Sequence, residues 1–354
     1  MNEGVNKFFY WMLIFVPISI YLGFFTDNDI LTFIAAILAI IPLAAIIGFA
    51  TKEIVLQTTP ALGGLLNATF GNAIELIIAT LALSKGLIEI VRASIIGSII
   101  GNLLLLIGLS VFFGGVKYKE QRFNKMSAGV SATMLIIAMA GLAIPTFYAL
   151  TAHTDSGQVA ILSDALAIVL AIIYLAGLFF SLFTHKHLFD ASDEIKSSKD
   201  KALISKKKAT LILLLAVAVV ALVSESLVRT VEHAASSIGL TQVFVGVVII
   251  AIITNIAENS TAIHFARENK LDISLEIGLS SAIQVALFVV PILVLISNIF
   301  HYGFSLVFTA FEIITVMFTV MIVNYLSADG RCNWLEGAQL IALYLIIAIV
   351  YYFI

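Results

Sequence analysis

Two stretches of the chain set an asparagine three residues ahead of a glutamate within otherwise apolar runs, Asn72-Ala73-Ile74-Glu75 and Asn255-Ile256-Ala257-Glu258. In each case a serine follows the glutamate by 23 positions, Ser98 and Ser281, with Asn102 and Gln284 close behind. Residues three apart share a helix face, so each motif aims a carboxylate and an amide carbonyl at one point. The hydroxyls and amides of Ser98, Asn102, Ser281 and Gln284 add further oxygens. Hard oxygen donors carrying two negative charges suit Ca²⁺, which takes about six to eight such ligands. Mg²⁺, which retains water in a near-octahedral shell, and Mn²⁺ stay as alternatives, whereas Zn²⁺ or Cu⁺ would want the His or Cys that neither motif holds. The same carboxylates take protons. Facing each other without a cation they repel, so the empty site keeps at least one proton, and cation and proton displace each other. If only neutralised forms cross a low-dielectric passage, the two movements are coupled.

A carboxylate near a bilayer centre costs about 2.5–3.5 kcal/mol on insertion scales, so the surrounding elements must justify it. Of 354 residues, 61% are hydrophobic and 12% charged, half the charge of a soluble domain, which averages about 25%. The mean hydropathy is +1.11. A net charge of −3 without a basic face gives no reason to expect a nucleic-acid partner. Cys332, the single cysteine, excludes an intramolecular disulfide and a thiolate metal site. Polar breaks divide the chain into eleven apolar runs: 7–24, 30–50, 60–84, 88–113, 126–146, 159–183, 208–230, 240–266, 274–299, 303–324 and 335–353. Each is near the roughly 20 residues a helix needs to cross a bilayer core, and none alternates as a barrel strand would. The first run follows Lys7 like a signal peptide, but Phe24-Phe25-Thr26-Asp27 offers no small-residue cleavage pattern, so it reads as a retained span.

Alternating the loops between two sides places sixteen of the 19 Lys and Arg on one side and leaves Lys85, Arg92 and Arg229 on the other. The positive-inside rule then puts the N-terminus in the cytoplasm and the C-terminus outside. The two glutamates fall on the third and eighth runs, and an odd separation means that the copies cross in opposite directions. The expectation is an all-α polytopic membrane protein of about eleven transmembrane helices. It comprises an N-terminal helix (1–29), a five-helix repeat (30–184), a cytoplasmic polar linker helix (185–207) and an inverted second repeat (208–354). Inverted repeats with polar residues near mid-span are the architecture of secondary transporters.

Glu225 in the seventh run and Glu312 in the tenth lack a symmetry mate, which favours structural or proton-access roles. His264, six residues after Glu258, is a candidate for proton entry. His185-Lys186-His187 reads as a solvated loop, Asp190, Asp193 and Glu194 as part of a capped interfacial helix, and Lys206-Lys207-Lys208 as an anchor beside anionic headgroups. Glycines 63, 64, 71, 97 and 101 permit close helix packing.

The stretch Gly-Gly-Leu-Leu-Asn-Ala-Thr-Phe-Gly-Asn-Ala-Ile-Glu-Leu (63–76) resembles the first signature of the Ca²⁺/H⁺ exchangers, within the calcium/cation antiporter superfamily. The second copy (255–259), together with Phe265–Asp272, Ser280–Gln284 and the tail from Val323 to Gly337, is similar to that family's second signature. One departure is Thr254, where the family has glycine. The resemblance implies a low-affinity, high-capacity antiporter that extrudes Ca²⁺ on the proton gradient. It further implies that Glu75 and Glu258 are shared by Ca²⁺ and protons, with Asn72 and Asn255 beside them and Ser98, Ser281 and Gln284 near the pathway. Homo-oligomers, a trimer among them, are also implied.

The expected function is therefore secondary active Ca²⁺/H⁺ antiport by alternating access, exporting cytosolic Ca²⁺, with no cofactor beyond the transported ions and the lipid bilayer as surroundings. The short N-terminus points to a prokaryotic cell membrane. The rival within the same fold is a Na⁺/Ca²⁺ exchanger, whose motif resembles Gly-Thr-Ser-x-Pro-Glu. Gly-Asn-Ala-Ile-Glu and Thr-Asn-Ile-Ala-Glu favour protons. A cation channel would need an open ring of carboxylates. An enzyme would need a Ser–His pair, an Asp dyad or a His cluster within the spans, and the sequence holds none.

Overall fold

A computed structural model of the chain describes residues 7–151, 156–185, 188 and 202–354. Eight helices among the described residues are long and apolar enough to cross a membrane: α1 (Phe8–Phe25), α2 (Asp29–Val55), α5 (Ile88–Tyr118), α6 (Lys125–Thr151), α7 (Gly157–Thr184), α8 (Lys206–Ser237), α11 (Leu271–Phe300) and α13 (Trp334–Phe353). Two bent pairs bring the number to ten when each counts as one span. They are α3 (Pro60–Gly71) with α4 (Ala73–Ser84), and α9 (Gln242–Thr254) with α10 (Ile256–Arg267). A shorter apolar helix, α12 (Ala310–Leu326), occupies the tenth of the eleven apolar runs. The expected linker helix, with Lys186, His187, Asp190, Asp193 and Glu194, lies mostly outside the described residues.

Backbone details repeat along with the sequence motifs. A spacing of 183 residues separates Asn72 from Asn255, Glu75 from Glu258 and Ser98 from Ser281, and it also relates the left-handed residues Gly86 and Asn269. Glycine and asparagine are the residues that accept positive φ most readily, so both turns are written into the sequence. Lys119 and His301, also left-handed, end α5 and α11. Both of those helices contain a π-helical stretch just after the conserved-spacing serine, Gly101–Leu106 and Val285–Val289. Such stretches tend to mark functional positions, because the extra residue re-aims the side chains around it.

Extended backbone follows α5 and α11, and each copy satisfies its polar groups differently. In the first repeat it is β1 (Glu120–Arg122), paired antiparallel with β2 (Arg331–Asn333) so that Gln121 faces Cys332. In the second repeat residues 303–309 remain non-helical inside an apolar run, which shortens the helix expected over 303–324. The reason is visible in its hydrogen bonds. Backbone N–H groups of Phe304, Leu306 and Phe308 donate to Ser297 Oγ (2.7 Å), Ser163 Oγ (3.2 Å) and Thr146 Oγ1 (3.0 Å), from three different helices. The side chains of the same three residues are buried. Non-helical backbone at membrane depth is tolerated only when protein satisfies it in this way. The Thr309 N–H donates to Glu312 Oε2 at 2.7 Å, closing a capping box that starts α12.

Removing one of these hydroxyls isosterically should leave a buried N–H without a partner, at a cost of about 1–3 kcal/mol. Thr146→Val is therefore expected to lower the thermal unfolding midpoint of the purified protein in detergent. An unchanged midpoint would show that the Phe308 N–H finds another partner.

Candidate functional site

Both asparagine–glutamate motifs sit where a helix breaks. The α3–α4 pair bends by 46° at Asn72 and the α9–α10 pair by 59° at Asn255, and at both asparagines the backbone leaves helical geometry (φ −101°, ψ 16° and φ −97°, ψ 8°). Glu75 and Glu258 then fall in the first turn of α4 and α10. A helix N-terminus carries partial positive charge, worth about 0.3–1 kcal/mol to a carboxylate and more when partly buried. The break also frees carbonyls on the preceding half-helix, and the asparagines use them: Nδ2 of Asn72 donates to Ala68 O at 3.0 Å, and Nδ2 of Asn255 to Ala251 O at 2.9 Å.

The remaining bonds cross between repeats. Asn72 Nδ2 also donates to Gln284 Oε1 at 2.7 Å, while Asn255 Nδ2 donates to Ser98 Oγ at 3.3 Å and to Thr254 Oγ1 at 3.2 Å. Asn102 Nδ2 donates to Ser281 Oγ at 2.9 Å and to Asn255 Oδ1 at 3.3 Å, and Ser281 Oγ donates to Glu258 Oε2 at 2.8 Å. Glu75 is buried and its Oε2 has no hydrogen-bond partner. The two carboxylates lie close enough to feel each other's charge, and Thr254 reaches the Glu75 carboxyl. Of the residues singled out by sequence, Ser98, Asn102, Asn255, Ser281 and Glu258 thus form one hydrogen-bonded network, Glu75 is reached by Thr254 at its edge, and Asn72 and Gln284 form a second pair between the repeats.

Glu225, Glu312 and His264 do not join it. Glu225 pairs with Lys85 at 2.9 Å on half-exposed side chains. Glu312 caps α12 and interacts with Arg92 and Glu89. His264 Nε2 lies 3.3 Å from Glu268 Oε1 at the end of α10 and is 55% exposed.

A cavity of about 500 Å³ reaches the network. Glu258, Thr261, Ser280, Ser281 and Gln284 line it, opposite Asn67, Phe70 and Gly71 of α3, with Lys52 of α2 toward its mouth. Lys52 ends α2 and Arg267 ends α10, so the cavity opens on the Lys/Arg-rich face. On that face α10 is tied down: Gln121 Nε2 donates to Ala266 O (2.9 Å) and Lys117 Nζ to Arg267 O (2.8 Å). Thr261 and Asn67 were not anticipated, although Thr261 stands three residues after Glu258 on the same helix face.

The symmetry-related seam on the other face is shut. A Cβ on Gly97 of α5 would lie 2.2 Å from the Val247 carbonyl of α9, and one on Gly246 would lie 2.6 Å from Ala93 Cβ. The counterparts of Gly97 and Gly246 are Ser280, in the cavity wall, and Gly63. One seam between the repeats is closed by glycines, while Ser280 of its mate lines the cavity.

A profile of the sodium/calcium exchanger protein family matches residues 28–183 and 208–353. The chain belongs to that family. A Ca²⁺/H⁺ antiporter of Aphanothece halophytica is 42% identical to this exchanger, over 98% of its chain and 97% of the relative's. The Ca²⁺/H⁺ antiporter ChaA of Bacillus subtilis is 40% identical, over 94% and 95%. The crystal structure of the selenium-substituted Ca²⁺/H⁺ antiporter protein YfkE superposes with a TM-score of 0.85 at 37% identity, covering 99% of this chain and all of that one. The chain is thus a multi-pass membrane protein, similar over nearly its whole length to Ca²⁺/H⁺ antiporters. Among its described residues no three of His, Cys, Asp and Glu cluster as a metal site. Its donor set is two carboxylates with amide and hydroxyl oxygens, the chemistry of hard divalent cations.

Cys332 is buried, and burial, with Glu336 and Asp329 nearby, pushes its thiol up and away from reactivity. A cysteine introduced at Thr261 should therefore be the reactive thiol. Membrane-impermeant maleimide is expected to label Thr261→Cys from the Lys/Arg-rich face and not from the other. Equal labelling from both faces would contradict a one-sided cavity.

Proposed function

We propose that this protein exchanges Ca²⁺ for protons, with Glu75 and Glu258 holding the two in turn. The observation that carries the reading is the pair of broken helices. They deliver two carboxylates, and the asparagines that precede them, to one buried point reached by a cavity from one face. A divalent cation there neutralises both charges, and one or two protons do the same. A state with both carboxylates charged and no cation would carry uncompensated charge through a low-dielectric passage, so it crosses slowly. Coupling then follows from the site without a separate gate.

By the positive-inside rule the Lys/Arg-rich face is cytoplasmic, so the cavity admits cytosolic Ca²⁺ and the direction of use is export. Release on the far side requires the seams to trade places. The α5–α9 seam opens at Gly97 and Gly246, and α3 closes onto α11 so that Gly63 and Gly64 approach the helix face carrying Ser280. Each repeat thereby adopts the packing its mate had. No bond is made or broken and no resident cofactor is needed. The antiporter relatives named above support the proton-coupled reading, as does the departure of both motifs, Gly71-Asn72-Ala73-Ile74-Glu75 and Thr254-Asn255-Ile256-Ala257-Glu258, from the Gly-Thr-Ser-x-Pro-Glu pattern.

The test is Ca²⁺ flux in proteoliposomes. Glu75→Gln and Glu258→Gln, which keep shape and lose charge, are each expected to abolish exchange while the purified protein stays monodisperse. Lowering the pH on the Ca²⁺-loading side should raise the half-saturating Ca²⁺ concentration of the unaltered protein, because protons compete for the same oxygens. Near-normal flux in either variant, or a pH-independent half-saturation, would remove the two glutamates from the role.

A further inference from the structure

The 183-residue correspondence between repeats fails at three places beside the carboxylates: Asn102 answers to Val285, Gln284 to Gly101, and Thr254 to Gly71. Asn102 is fully buried, stands second in the π-helical stretch of α5, and does not line the cavity. Its amide nevertheless reaches two side chains of the opposite repeat, Ser281 and Asn255, and Ser281 passes the tie on to Glu258 Oε2. Valine has no donor, so nothing at position 285 can do the same for the first repeat. The consequence is visible there. Glu75 Oε2 is unpartnered, and among the described residues Asn72 Oδ1 receives no hydrogen bond, although both Asn72 amide hydrogens are engaged by Ala68 O and Gln284 Oε1.

We propose that Asn102 is a positioning residue that makes the two halves of the ion site unequal, fixing Glu258 and Asn255 in one pose through a chain of bonds that Glu75 lacks. Asn102 acts through its donors: it does not line the cavity, and both its amide hydrogens are spent on Ser281 and Asn255. Asn255 Oδ1 accepts from Asn102 with one lone pair and keeps the other for a cation. A cation arriving through the cavity meets an already ordered Glu258, so the cost of ordering is limited to the Glu75 half. Of the charged groups that line the cavity, Glu258 ends this tie and Lys52 lies outside it.

The inference rests on the proposed exchange at Glu75 and Glu258, and its test separates the two. Full-length protein in proteoliposomes is loaded with Ca²⁺ from the Lys/Arg-rich face, comparing the unaltered chain with Asn102→Ala, Ser281→Ala, the double variant and Val285→Ala. Asn102→Ala and Ser281→Ala should each raise the half-saturating Ca²⁺ concentration about tenfold and change the maximal rate by less than about threefold, as expected for loss of a hydrogen bond to a charged group's support. The double variant should fall short of the product of the two single effects, because both act on the chain of bonds from Asn102 through Ser281 to Glu258. Val285→Ala should leave half-saturation unchanged. An unaltered half-saturation in Ser281→Ala, or effects that multiply in the double variant, would overturn the assignment. If Asn102→Ala fails to fold, Asn102→Ser, which keeps one donor, is expected to fall between Ser281→Ala and the unaltered chain, and a value at or beyond that of Ser281→Ala overturns it. Absence of Ca²⁺ exchange in the unaltered chain would sink the proposed function instead.

Discussion

Two carboxylates at membrane depth are the constraint around which this chain is organised. Each costs several kcal/mol if left in hydrocarbon alone. The fold answers by breaking a helix immediately before each one, so that Glu75 and Glu258 sit in first turns where backbone dipoles favour negative charge. For Glu258 the Ser281 hydroxyl adds a hydrogen bond to a charged group, worth about 1.5–3 kcal/mol, which is comparable to the cost of placing it there. Thr254 reaches the Glu75 carboxyl, but Glu75 Oε2 has no partner. What it has is a second carboxylate nearby and oxygens around it, an arrangement that is incomplete without something positive.

The inverted duplication explains why such a site can face two ways. Paired left-handed turns at Gly86 and Asn269, paired π-helical stretches and paired helix breaks show that the two halves share one backbone plan. In this structure the halves are packed unequally. Glycines close the seam between α5 and α9, and the mate of that seam holds the cavity. The proposed exchange has the two plans trade these packings, so that the roles of the seams are reversed.

Much of this was legible in the residues. The Asn-x-x-Glu copies and their serines pointed to the network, and the apolar runs to the helical class, but nothing in the runs 60–84 and 240–266 marked the breaks at Asn72 and Asn255. Helix–helix assembly was harder to see. Nothing in the run 303–324 announces that its first seven residues are extended, because the acceptors that stabilise them, Thr146, Ser163 and Ser297, lie on other helices. Glu225 and Glu312 were visible as charges in apolar runs, but whether such a charge is a ligand or a cap depends on neighbours distant in sequence, here Lys85 and Thr309. The non-equivalence of the two repeats was also present in the letters, as Asn102 against Val285. It acquired meaning only when the bond from Asn102 to Ser281 could be traced.

The central claim is that one site serves Ca²⁺ and protons in turn. Purified protein in sodium-free proteoliposomes, given an imposed pH gradient and equal Ca²⁺ on both sides, tests it most directly. The account predicts that Ca²⁺ accumulates on the acidic side and that adding Na⁺ changes nothing. Ca²⁺ that stays at equilibrium under the pH gradient, or moves only when a Na⁺ gradient is supplied, would contradict it.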